Sequence, residues 1–266
     1  MTGYDRYGPR VAALRRYAEG GDVWAMERLA EALREVKDAD GAEHWLRRAA
    51  ELGSVSALGP LGELAEADGR VAEAIGWWEQ AVAAGCAGAD LQLGALYLER
   101  GELDAAESWL RTSAANGDPE AMANMGVIAH RRGDDEAAVR WYERAAERGN
   151  PTAMRSLGVH LARAGDVERA VALLTEAVRL GRRDAMAVLG ALYLDVGDTE
   201  RGEHWLRRGA AAGDPDSMFH LAVALRGRPT TGTPNGDEAT HWLRKAADLG
   251  HPQALRLLLE PGTLEP

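Results

Sequence analysis

Residues 86–117, CAGADLQLGALYLERGELDAAESWLRTSAANG, decide the fold, because they hold two helical patterns and two chain breaks before the same text starts again. Ala106, Trp109, Leu110, Ser113 and Ala114 are spaced i, i+3, i+4, i+7, i+8, which is one apolar stripe on a helix. Ahead of them Ala89, Asp90, Leu93, Gly94 and Tyr97 mark a first helix, and Gly101-Glu102 breaks the chain between the two. Gly117 closes the unit and Asp118-Pro119 opens the next. Glycine suits the position just past a helix end, aspartate can cap the following helix, and proline in a first turn lacks only an N–H that would have no partner.

Outward from this unit the pattern recurs. Gly21, Gly53, Gly85, Gly117, Gly149, Gly181 and Gly213 are each 32 residues apart, and Gly250 follows after 37. Eight residues before the later glycines stand Trp45, Trp77, Trp109, Trp141, Leu173, Trp205 and Trp242, a series expected to supply the core. Small residues recur as well, at Ala30, Gly62, Gly94, Gly126, Gly158, Gly190 and Ala222, and again at Ala42, Ala74, Ala106, Ala138, Ala170, Gly202 and Ala239. Two small-residue series at fixed offsets let paired helices approach closely. A lone hairpin of this size cannot bury its stripe, so stability has to come from stacked neighbours. The expected fold is all-α, an α-solenoid of seven helix-turn-helix repeats over 22–250. With capping helices at 9–20 and 252–260 it has about 16 helices, and residues 1–266 form a single domain. Gly59-Pro60 falls inside the first helix of the second repeat, so that helix is expected to begin or kink at Pro60.

Composition supports the helical reading. Ile75 and Ile128 are the only isoleucines and Phe219 the only phenylalanine, so residues that favour strands are scarce. A formal net charge of −11 opposes a phosphate backbone, and nucleic acid is not an expected partner. No stretch approaches the ~18 apolar residues of a membrane span and no signal peptide is evident at the N-terminus, so a cytoplasmic, non-membrane protein is expected. A single cysteine, Cys86, agrees with a reducing compartment. Of 31 basic side chains only Lys37 and Lys245 are lysines, an arginine bias that suggests high-GC coding and a bacterial source.

These residues resemble the tetratricopeptide repeat, whose W-x2-L-G-x2-Y, A-x3-F pattern is matched by Met186, Leu189, Gly190, Tyr193, Gly202 and Leu206. Trp205-Leu206-Arg207-Arg208 followed by Gly213-Asp214-Pro215 is more similar to the Sel1-like branch of that superfamily. The seventh unit, with five extra residues within Gly227 to Asn235, resembles that branch most. The resemblance implies an adaptor or scaffold that binds a protein or peptide partner. It also implies that the first helix of each repeat lines the inner wall, at positions three, six, ten and thirteen after the repeat glycine.

Those positions give a candidate groove. Its middle is apolar, through Leu91, Leu98, Val127, Val159, Leu194, Phe219 and Val223 with His130 and Arg155 among them; one end is acidic, through Glu27, Glu31, Glu63 and Glu66. An exposed apolar trough of that kind would hold a partner helix or extended segment, its acidic end favouring a basic end on the ligand. Self-assembly through the solenoid ends, where Leu255, Leu257, Leu258 and Leu259 cluster, and service as a regulatory subunit of an enzyme are the alternatives.

No catalytic, metal or cofactor site is expected. There is no H-E-x-x-H, G-x-S-x-G or phosphate-binding glycine loop, and no Cys/His pair at metal spacing. His44, His204 and His241 each precede a repeat tryptophan in distant units and read as rim histidines. The pairs Arg47-Arg48, Arg131-Arg132 and Arg207-Arg208 lie among acidic residues and read as solvated faces.

Overall fold

The computed structural model describes residues 8–227 and 235–259. Most of the extra residues of the seventh unit, together with Glu260, lie outside them. The described residues form sixteen helices and no strand, the helical-repeat architecture that the sequence predicts. The chain divides into two compact units, Met1–Ile128 and Ala129–Pro266.

The first unit holds α1 (Gly8–Glu19), α2 (Val23–Glu35), α3 (Ala39–Glu51), α4 (Leu58–Ala67), α5 (Val71–Ala83), α6 (Ala89–Glu99), α7 (Leu103–Ala115) and most of α8 (Pro119–Arg131). The second holds the end of α8, then α9 (Asp135–Glu147), α10 (Pro151–Arg163), α11 (Val167–Arg179), α12 (Ala185–Asp195), α13 (Thr199–Ala211), α14 (Pro215–Arg226), α15 (Asn235–Asp248) and α16 (Pro252–Leu259). From α1 to α7, and again from α9 to α16, each helix packs on the next in sequence. In the second unit α10 also touches α12, and α12 touches α14, so the first helices of successive repeats lie side by side.

Capping sets where these helices start. Asp22, Asp118, Asn150 and Asp214 follow the repeat glycine and accept hydrogen bonds from the N–H groups of Ala25, Ala121, Ala153 and Ser217 at 2.7–2.9 Å. Their helices run 12 or 13 residues. Cys86 and Arg182 occupy the same place without capping, and α6 and α12 start later and run 11 residues. The second repeat shortens further. Helix α4 has 10 residues and starts at Leu58, two residues before the expected point, which leaves Pro60 in the first turn where its ring displaces no hydrogen bond. Helix ends follow one pattern, seen at Gly149: φ is +83°, its N–H bonds Ala146 O at 2.9 Å, and the Asn150 N–H reaches back to Ala145 O at 3.1 Å.

In four of the hairpins a glycine of the first helix receives a large side chain of the second, sixteen residues on. A Cβ on Gly62, Gly94, Gly158 or Gly190 would stand 2.3–2.7 Å from Trp78, Leu110, Leu174 or Leu206 respectively. The innermost residue of the second helix is therefore the one after the tryptophan position, and the expectation of a tryptophan core is corrected accordingly. Leu110, Leu174 and Leu206 are fully buried. Trp77, Trp109, Trp141, Trp205 and Trp242 are half-buried beside them, and only Trp45 of the series is buried. On their outer side Arg144 lies over Trp141, Arg208 over Trp205 and Lys245 over Trp242, at 4.4–5.0 Å from the ring centroids.

Candidate partner-binding site

In the second unit α10, α12 and α14 together form an open cleft of about 480 Å³. Val159 and Ala162 of α10 and Ala187, Val188, Ala191 and Leu192 of α12 make its floor. These residues recur on one face because the 32-residue period repeats the same helical phase. Small side chains at 187 and 191 keep the floor low. The rim is charged: Arg155 and Arg163 stand on one side, Asp195 and Asp216 on the other, with His220 beside them. Arg155 is held by Asp184, Nε to Oδ2 at 3.1 Å, and Asp184 also pairs with Arg182 at 2.9 Å. Burial lowers the His220 pKa although Asp216 works against it. The cleft thus offers an apolar strip between opposite charges, a surface suited to a peptide segment rather than to bond-making chemistry.

The Sel1 repeat family model matches residues 25–54, 68–86, 119–150, 183–214 and 215–251, together more than half of the chain. The chain belongs to the Sel1 repeat family. Tetratricopeptide repeat models match 87–112 and 142–187 of this Sel1 repeat protein. Among solved structures it is similar to a Sel1 repeat protein from Oxalobacter formigenes, at 24% identity and a TM-score of 0.66 over 83% of this chain and 98% of that one. A tetratricopeptide repeat protein from Parabacteroides merdae is similar at 15% identity and a TM-score of 0.62, over 97% and 100%. The protective antigen c5321 of uropathogenic Escherichia coli, which displays an SLR fold, shares 24% identity at a TM-score of 0.49; 92% of this chain is covered but only 65% of that protein's length. Among curated proteins none matches the sequence. Sel1 and tetratricopeptide repeats are typically protein–protein interaction scaffolds and generally non-catalytic. No described helix is long and apolar enough to cross a membrane.

Of the groove residues read from this Sel1 sequence, Arg155 and Val159 line the cleft. Leu98 and Phe219 are buried and serve as packing, Phe219 stacked on the His251 ring at 4.4 Å. Leu91, Val127 and Leu194 are half-buried, while Val223 is exposed. The four carboxylates expected at the acidic end each carry a partner. Glu27 accepts from Ser54 and Ser56 at 2.5 and 2.6 Å; Glu31 pairs with Arg28 and Glu63 with Arg34, both at 2.9 Å. Glu66 accepts from the Trp78 indole, and burial raises its pKa. Glu27 and Glu31 border a shallow cleft of about 170 Å³ that also contains Arg28 and Arg34, so its charge is balanced locally rather than bare.

His44, His204 and His241 are exposed, each edge-on to the tryptophan that follows it. Among the described residues one group of three brings possible metal-binding atoms together: His130, Asp135 and His160, all within 4.8 Å of one another. Searching for paired ligands at fixed spacing misses it, because its members come from three helices. The signal that was available lies in the repeat register, where position 160 is Ala32, Leu64, Leu96, Ile128, Leu192 or Ala224 in the other repeats.

Proposed function

We propose that this Sel1 repeat protein is a non-catalytic scaffold that holds a segment of a partner protein in the cleft of α10, α12 and α14. The observation that carries this reading is the cleft itself, an apolar floor from two repeats left uncovered between Arg155 and Arg163 on one rim and Asp195 and Asp216 on the other. Apolar contacts would supply the affinity, and the opposed rim charges would set the direction of the bound segment. The groove proposed on Leu91 and Val127 in the first unit is secondary, since the carboxylates that would orient a ligand there are already paired.

The test is partner capture by the intact chain carrying Val159→Glu and Ala191→Glu, beside Arg140→Glu, which changes an exposed side chain of α9 away from the cleft. Both cleft positions are half-buried, so helical content should be unchanged. The same partner should come down with the wild type and with Arg140→Glu, and fall at least tenfold with the cleft variant. Equal recovery from all three proteins removes the proposal.

A further inference from the structure

Two departures from the repeat pattern and a neighbouring histidine meet at one point in the second unit. Position 160 is aliphatic in all the other repeats, yet here it is His160 on α10, half-buried against the Tyr142 ring with centroids 5.9 Å apart. Position 135 is Ala39, Val71, Leu103, Val167, Thr199 or Gly236 elsewhere, and here it is Asp135, the first residue of α9. Capping does not account for that aspartate, because Asp134 before it already accepts the Ala137 N–H at 2.9 Å. His130, in the last turn of α8, completes the group: its Nδ1 lies 2.7 Å from Asp135 Oδ1, and its ring stands perpendicular to that of His160 with centroids 5.3 Å apart.

We infer that His130, Asp135 and His160 form a binding site for a divalent transition-metal ion. An ion held tetrahedrally at about 2.0–2.1 Å from three donors needs them roughly 3.3 Å apart. All three donors already lie within 4.8 Å of one another, and His130 and Asp135 are exposed side chains that can close the remaining gap by rotation. His160, half-buried, is the fixed member. Two imidazoles and one carboxylate suit zinc, cobalt(II) or nickel(II), whereas magnesium and calcium take oxygen donors. Three ligands on an accessible face leave at least one coordination position open, the arrangement of a site that meets a further ligand rather than of a closed structural knot. The charge of Arg163 acts on both His160 and Asp135 and opposes the cation, but Arg163 is exposed and solvent screens it.

The test is calorimetric titration of the full chain, free of any histidine tag, with Zn²⁺, together with Co²⁺ titration followed by its visible ligand-field spectrum. The wild type and His241→Ala, which lacks an exposed histidine elsewhere, should each bind one equivalent. His160→Leu installs the residue found at that position in three other repeats and should fold normally, as a thermal melt would show. It should weaken binding at least tenfold and lose the cobalt bands, and Asp135→Asn should weaken it similarly. His130→Ala, altering an exposed side chain, repeats the test without touching the packing. Absence of one-to-one binding in the wild type, or equal binding in His160→Leu and His130→Ala, overturns the inference.

Discussion

At Gly209 a Cβ would stand 2.0 Å from the Ser217 hydroxyl oxygen, and the reason lies in the repeat register. The corresponding pairs elsewhere are Ala49 with Ala57, Ala81 with Ala89, Ala145 with Ala153, Ala177 with Ala185 and Ala246 with Ala254, and in the third repeat Ser113 with Ala121. Here one partner has shrunk to glycine and the other has grown to serine, whose buried Oγ has no hydrogen-bond partner. Gly209→Ala alone should destabilise the protein by about 1–3 kcal/mol through overpacking. Adding Ser217→Ala should recover that loss and exceed the wild type by about 1 kcal/mol, since it removes a helix glycine and an unsatisfied hydroxyl. Urea denaturation of the four proteins of this cycle checks it, and additive effects would show that the two sites do not touch. Other residue-scale features were less legible. Trp109 and Leu110 fall on the same helical stripe, and periodicity cannot say which is innermost because the stripe is wide enough for both. The glycine sixteen residues earlier decides it, since the cavity it leaves opens onto Leu110.

Element boundaries were legible wherever capping chemistry was written into the chain. The glycine after each helix and the Asp or Asn beyond it fix α2, α8, α10 and α14 to within a residue or two. Helices α6 and α12 start later than the period suggests because Cys86 and Arg182 offer no cap, so the first turn of each is not held. Between the two helices of a hairpin the same left-handed position falls on Gly69, Gly101, Gly133, Gly165 and Gly197, but in the first repeat it is Lys37, at φ +61°. The turn still closes, with the Lys37 N–H on Arg34 O at 3.0 Å and the Asp38 N–H on Leu33 O at 2.9 Å. A side chain held there costs about 1–2 kcal/mol relative to glycine. Lys37 is exposed, so Lys37→Gly should stabilise the protein by about 1 kcal/mol, visible as a higher urea midpoint with an unchanged slope. A lower midpoint would mean that the lysine side chain makes a contact outweighing its backbone strain.

For the molecule as a whole, the repeat count and the helical class were open to reading because each repeat states the same pattern. The site was less open, because a position on the first helix can face a neighbouring repeat or solvent, and the period is the same for both. Thus Leu98 and Phe219 proved to be packing, while Val159 and Ala191 line the cleft. The acidic end failed to stand bare for a related reason: Arg28, one turn from Glu31, is not on a position that the period selects, and Arg34, which is, reaches across to Glu63. The proposed metal-binding group was hidden by the opposite logic, since Asp135 and His160 break the pattern instead of repeating it. What ties these features to function is the claim that the uncovered face of α10, α12 and α14 is where a partner lies. Hydrogen–deuterium exchange of the intact chain, with and without its captured partner, tests that claim most directly. Slowed exchange is expected at 155–163, 187–195 and 216–223, whereas slowed exchange confined to 168–179 and 200–211 would place the partner on the second helices and contradict the account.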